Sequence, residues 1–167
     1  MVHFKEGTTS DIPLIRQLSH TIWPLVYGSI LSKEQMDYML NRMYSESSLL
    51  DQMNRLLHHF ILAFNDDTPV GYASWSWITD SNLYRLHKIY LVPSQHGKGI
   101  GRQLLQHVIR NIAPTRETIL ELNVNRRNKA IDFYTREGFR IVRSEDNDIG
   151  NGYYMNDYVM QKTIGPA

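Results

Sequence analysis

From Ile89 to Arg102 the chain reads Ile-Tyr-Leu-Val-Pro-Ser-Gln-His-Gly-Lys-Gly-Ile-Gly-Arg, an apolar strand pattern running into a glycine-rich turn that opens an amphipathic helix. At such a junction the first N–H groups of the helix have no partner within it and gather at its positive end, which suits a phosphate. Gly97, Gly99 and Gly101 would let the backbone come close to an anion. The surrounding charge agrees, because Ser81 to Arg116 contains no Asp or Glu while Arg85, Lys88, Lys98, Arg102, Arg110 and Arg116 are all positive. Two familiar phosphate loops are excluded by spacing: an NTPase loop needs four residues between its first Gly and Gly-Lys-Ser/Thr, and a dinucleotide turn needs Gly-x-Gly-x-x-Gly. For the glycines alone, close packing of helix on sheet is the competing explanation.

The opposite pattern occupies Ser144 to Met160. Glu145, Asp146, Asp148 and Asp157 occur there without Lys or Arg, interleaved with Tyr153, Tyr154 and Tyr158. Such a stretch suits a cation through charge and aromatic faces, or is simply a solvated face.

Over the whole chain of 167 residues, 18 Lys and Arg stand against 17 Asp and Glu, a net charge of +1 that argues against nucleic-acid binding. The absence of cysteine excludes disulfides, thiolate nucleophiles and Cys-ligated metals. The histidines show no metal-ligand spacing, since the adjacent His58 and His59 would face opposite ways on a strand, so no metal is expected. No apolar run reaches the ~20 residues of a membrane span, and the opening residues carry no apolar leader. No membrane association and a cytoplasmic location are the expectations.

These patches need elements to hold them. A first strand is expected at Val2 to Glu6, followed by a helix that starts at Ser10-Asp11-Ile12-Pro13, carries the stripe Ile12, Ile15, Leu18, Ile22 and Val26, and is interrupted near Pro24. Ser32 to Met43 and Ser47 to His58 predict two more helices. His59 to Phe64 and Val70 to Ile78 predict a hairpin, and Leu83 to Val92 a further strand. Ile100 to Ala113 predicts an amphipathic helix ended by Pro114, Thr118 to Val124 a strand, and Lys129 to Glu137 a short helix closed by Gly138. Phe139 to Arg143 and Tyr153 to Lys162 complete the sheet. The expected class is α/β (α+β), one domain over 1–167, with a parallel βαβ crossover near the middle.

Downstream of the glycine turn stands Asn125-Arg-Arg-Asn-Lys-Ala-Ile-Asp-Phe-Tyr-Thr-Arg-Glu-Gly-Phe139. The two motifs, in this order and separation, resemble the GNAT superfamily of acetyl-CoA-dependent N-acetyltransferases. Gly99 and Gly101 match the glycines of its coenzyme turn; His96 stands at the leading position, usually Arg or Gln, with Gln95 just before it. Ala130, Tyr134, Gly138 and Phe139 match the later helix. The resemblance implies a mixed, mostly antiparallel sheet of about seven strands, flanked by helices and splayed at its parallel pair. It also implies acetyl-CoA as co-substrate. Leu91 and Val92 would meet the pantetheine arm through their backbone. The pyrophosphate would lie on the turn formed by His96, Gly97, Lys98, Gly99, Ile100, Gly101 and Arg102. Asn128 is the matching coenzyme contact, with Asn125 as the alternative.

By the same resemblance Tyr134 would be the acid that serves the coenzyme sulfur. An amine of pKa ~10 also needs a base, and His87 and Glu121 lie on the strands expected to flank the coenzyme. With no cysteine, the amine would attack acetyl-CoA directly in a ternary complex. The stretches Trp23 to Leu40 and Asp148 to Met160 look like the bacterial branch that includes spermidine/spermine acetyltransferases, which implies Tyr27, Asp148, Tyr154 and Asp157 as acceptor contacts. The acceptor is then a small-molecule primary amine such as a polyamine. A protein or peptide acetyltransferase and a silent acyl-CoA-binding regulator remain the alternatives, and a homodimer is compatible with either.

Overall fold

In the computed structural model, which describes residues 1–167, seven strands form a single sheet with five α-helices against it. In chain order these are β1 (Val2–Gly7), α1 (Ile12–Tyr27), α2 (Lys33–Tyr44), α3 (Glu46–Asn54), β2 (His59–Asn65) and β3 (Thr68–Ile78). They are followed by β4 (Leu83–Leu91), α4 (Ile100–Ile112), β5 (Thr118–Asn125), α5 (Ala130–Arg136), β6 (Arg140–Gly150) and β7 (Tyr153–Ile164). The strand order is β1-β2-β3-β4-β5-β7-β6. Every neighbouring pair is antiparallel except β4 and β5, which run parallel on either side of α4.

Both faces of the sheet are covered, so β2 reads as a continuous apolar run and sorts its side chains with period two. Ile61 and Ala63 join a core with α4, where Ile100, Leu104, Leu105 and Val108 meet Leu120, Leu122 and Val124 of β5. Phe60 and Leu62 face the other way, into a core built from α1, α2 and α3 around Ile15, Ile22, Trp23 and Leu49. Burying each of these large side chains contributes about 1.5–3 kcal/mol.

Three elements depart from expectation. Helix α1 continues through Pro24 to Tyr27, because a proline one turn from the end removes only one hydrogen bond while buried Trp23 and Tyr27 hold the last turn on the core. Helix α3 stops at Asn54, four residues before His58, and Leu57 takes a left-handed turn with φ 57°. Strand β6 extends to Gly150 and pairs with β7 almost to the hairpin tip, so the acidic stretch is largely strand. Its weak apolar pattern concealed it; pairing with β7 stabilises it instead. The tip is tied to α2: Tyr38 Oη donates to the Ile149 carbonyl at 2.7 Å, Arg42 donates to the same carbonyl, and Gln35 Nε2 donates to the Tyr154 carbonyl at 2.8 Å.

The feature that positions the site is a defect in the sheet. Between β4 and β5 only Tyr84 with Leu120 and Arg85 with Glu121 are in register. Beyond them the strands diverge.

Candidate active site

The glycine turn leaves β4 and enters α4 with Gly97 and Gly99 both at φ 78°, a backbone conformation that side chains disfavour. No acceptor within the protein meets the N–H groups of Gly97, Lys98, Gly99, Ile100, Gly101 and Arg102; the first amide of α4 to bond is that of Gln103, to the Gly99 carbonyl at 3.1 Å. Six consecutive unpaired donors at a helix start make a cradle for a diphosphate. The side chains play different parts: Ile100 is buried in the core, while Lys98 and Arg102 are exposed. A Cβ on Gly101 would press on the Phe133 ring at 3.4 Å. His96 Nε2 donates to the Leu91 carbonyl at 3.3 Å, which closes the turn.

Beyond the turn, the divergence of β4 and β5 opens a cavity of about 710 Å³ that continues to Tyr134 and Asn128 on one side and to Tyr27 and Ile30 on the other. Leu91 lines it. Val92 does not, and both its backbone groups are engaged, the N–H with the Val70 carbonyl at 2.8 Å and the carbonyl with Gln95 N–H at 2.9 Å. Of the two asparagines, Asn128 is on the cavity wall, where its Oδ1 accepts from Ala130 N–H at 2.9 Å and starts α5. Asn125 is buried off the wall and accepts from Arg127 N–H.

Tyr134 is 8% exposed, set edge-on between Phe133 and Phe139, and its hydroxyl has no hydrogen-bond partner in the protein. Burial, with a smaller contribution from Tyr27, raises its pKa, so the phenol keeps its proton at neutral pH. Across the cavity Tyr27 and Tyr90 share a hydrogen bond of 2.9 Å between hydroxyls. Tyr90 gave no signal in the sequence because an aromatic on a buried strand looks like core; its place on the cavity wall follows only from the divergence of β4 from β5. Arg127 gave no signal either, and it ties the α1–α2 connection to the start of α5 by donating to the Ser29 and Ile30 carbonyls at 3.2 Å.

The two expected bases have other occupations. His87 is the extra residue of a β-bulge, since Ser74 opposes Lys88 while Trp75 opposes Leu86. It lines the cavity, but its Nε2 is 2.7 Å from Ser76 Oγ and its ring stacks on His58 with centroids 3.8 Å apart. Burial, aided by His58, Lys88 and Arg85, lowers its pKa to about 2, which makes it a poor proton acceptor. Glu121 is off the cavity wall, and its oxygens accept from Arg85 Nη1 and Gln161 Nε2, each at 2.7 Å. It is a structural ion pair.

The charge patches are also redistributed. Of the six positives in the acid-free stretch, Arg85 serves Glu121, Lys88 is buried against Gln52 Oε1 at 2.7 Å, Arg110 is in the last turn of α4 and Arg116 beyond it donates to Asn82, so Lys98 and Arg102 are the two at the turn. Along the acidic hairpin, Glu145 pairs with Arg143 at 2.8 Å, Asp146 with Arg126 at 2.6 Å, and Asp148 accepts from Gly150 N–H. Neither Asp148 nor Tyr154 reaches the cavity. Asp157 is buried behind its wall, with Oδ2 held by Asn123 Nδ2 at 3.2 Å, and Asn123 itself lines the cavity.

Comparison with known proteins gives a consistent relationship. The acetyltransferase (GNAT) domain model matches residues 29–162. An uncharacterised N-acetyltransferase of Mycobacterium tuberculosis is 27% identical over 156 residues, which are 93% of this chain and 99% of that protein. The peptidyl-lysine N-acetyltransferase YjaB of Escherichia coli is 34% identical over 89 residues, 52% of this chain and 53% of that one. Among solved structures, PaiA N-acetyltransferase from Thermoplasma acidophilum in complex with coenzyme A superposes with a TM-score of 0.78 at 25% identity, over 98% of this chain and 99% of that one. The chain with this cradle of free amides and these splayed strands therefore belongs to the GNAT family of acetyl-CoA-dependent N-acetyltransferases.

Proposed function

We propose that the acceptor is a primary amine carried on a peptide or protein. The observation behind this reading is the acceptor half of the cavity. It is bordered by Leu25, 65% exposed, and by Val26 and Ile30, and no Asp or Glu lines it apart from Glu137 beside the glycine turn. A polyamine carries several ammonium groups and needs several carboxylates to desolvate against. The hairpin acids that would have met them are paired or turned elsewhere. An apolar rim suits a single amine presented by a side chain or chain terminus. Similarity to YjaB, a peptidyl-lysine acetyltransferase, points the same way.

In this reading the amides of Gly97 to Arg102 hold the coenzyme diphosphate, and Leu91 and Asn128 border the arm that leads into the cavity. Acetyl-CoA supplies the activated acetyl group. Tyr134 holds a proton at its phenol oxygen for the departing sulfur, and Tyr27 and Tyr90 present hydroxyls on the acceptor side. Thiol release from acetyl-CoA, measured with lysine peptides, peptides with a free α-amine, spermidine, spermine and an aminoglycoside, tests the reading. A peptide should exceed either polyamine in kcat/KM by roughly tenfold or more, about 1.4 kcal/mol in the transition state. Equal or better turnover of spermidine would replace the peptide with the polyamine.

A further inference from the structure

We propose that Asp157 takes the proton from the acceptor amine, through one bridging water or hydroxyl on the Asn123 and Tyr27 side of the cavity. The inference rests on amine acetylation and not on which amine is used.

Asp157 lies on β7 in register with Asn125 of β5, and 6% of it is exposed. Its Oδ2 accepts from Asn123 Nδ2 at 3.2 Å and from Asn147 Nδ2 at 3.4 Å. Its Oδ1 is buried and has no partner. No cation reaches the carboxylate. Arg126, the nearest candidate, donates to the main-chain carbonyls of Asp157 and Glu145 at 3.2 Å and to Asp146. Arg85 is held by Glu121 and Asn123, and Arg143 by Glu145 and Glu121. A buried carboxylate with an empty lone pair and no counter-ion is destabilising by itself, and an approaching ammonium group relieves it.

Asp157 is off the cavity wall, one side chain behind it, so a small movement of Asn123 is what brings the bridging oxygen to Oδ1. Asn123, which holds Oδ2, lines the acceptor side of the cavity, as does Tyr27, whose phenol pKa is raised by burial and further by the charge of Asp157. The alternatives are occupied: His87 is bonded to Ser76, both oxygens of Glu121 are engaged, and Glu137 lies beside the glycine turn next to Arg102. The groups that face Asp157 are Asn123 from β5, Glu145 and Asn147 from β6, Arg126 from the β5–α5 connection and Tyr27 from α1. Burial, then Glu145, raises its pKa, while the two amides and Arg126 oppose this, so it binds a proton more readily than a surface aspartate. In the transfer one N–H bond of the ammonium breaks, the bridging oxygen receives that proton and passes its own to Oδ1, and a neutral amine is left to attack. Loss of the proton to solvent resets the site.

The test is the pH profile of kcat and kcat/KM for Asp157→Asn and for Arg126→Gln, measured on whichever amine of the panel turns over fastest, so a wrong acceptor assignment does not affect it. Asp157→Asn should keep coenzyme A affinity within about twofold and lose about 10²-fold in kcat near neutral pH. The loss should shrink as pH rises toward the amine's own pKa, where no base is needed. Arg126→Gln removes a positive charge beside Asp157 without touching the cavity and should move the acid limb to higher pH. A loss in Asp157→Asn that is constant at every pH, or no loss, overturns the proposal. If Asp157→Asn does not fold, an acid limb that stays in place in Arg126→Gln overturns it equally.

Discussion

Tyr134 is the side chain whose chemistry and position agree most closely. It is apolar on both flanks, free at its hydroxyl and fully protonated at neutral pH, so it is built to give a proton and not to take one. Tyr134→Phe keeps the ring between Phe133 and Phe139 and removes only the proton donor. Its kcat should fall by about 10²-fold with coenzyme A affinity unchanged within about twofold, read by steady-state kinetics and calorimetric titration. A kcat equal to that of the parent would remove Tyr134 from the reaction. Its place on the cavity wall was legible through the motif resemblance, in which Ala130 one turn before it and Gly138 one turn after it, just past the end of α5, fall in register. Asn123 and Tyr90 were not, because a polar or aromatic residue on a strand faces a cavity only if the neighbouring strand has moved away. That separation depends on β4 and β5 pairing at two positions and no more.

Strand β4 shows how one extra residue redirects an element. Strict alternation would place Arg85 and Lys88 of β4 on opposite faces, but the bulge at His87 changes the parity for the rest of the strand. The Lys88 side chain is thereby turned off the face that carries Leu86 and is buried between Tyr44, Phe60 and Gln52, with ring centroids 5.4 and 5.7 Å from its ammonium. The order of strands and helices was readable from period and caps; this parity was not, since a bulge has no residue signature here. Burial without a carboxylate lowers the Lys88 pKa from 10.5 to about 8. Between those values the unfolded chain holds a proton that the folded chain has lost, so stability rises with pH across that window. Below it, stability is lower by on the order of 3 kcal/mol. Between about pH 8 and about pH 9.5, before the buried tyrosines matter, urea denaturation should show a gain of about 1.5 kcal/mol that is absent in Lys88→Met. The same gain in the variant would acquit Lys88.

At the scale of the molecule the sheet joins two bodies by a narrow seam. Strands β1 to β4 carry α1, α2 and α3 on one face, β5 and β7 continue into β6, and α4 packs across both. Two register pairs, the Arg85–Glu121 ion pair, the Arg127 contacts to Ser29 and Ile30 and the docking of the hairpin tip on α2 hold the bodies together across the divergence. A coenzyme seated on the amides of Gly97 to Arg102 and running between Leu91 and Asn128 would touch both bodies at once. Binding should therefore add more than local order. At a hundredfold excess over its dissociation constant, coenzyme A should stabilise the fold by about 2.7 kcal/mol. Hydrogen exchange should slow in the glycine turn and also along the facing segments Leu86–Leu91 and Leu122–Asn125, where backbone groups lack strand partners across the seam. The β6–β7 ladder, paired along most of its length, should be unaffected. Slowing confined to residues 97–102 would mean that the coenzyme touches the turn alone and that the cavity between the strands serves some other ligand.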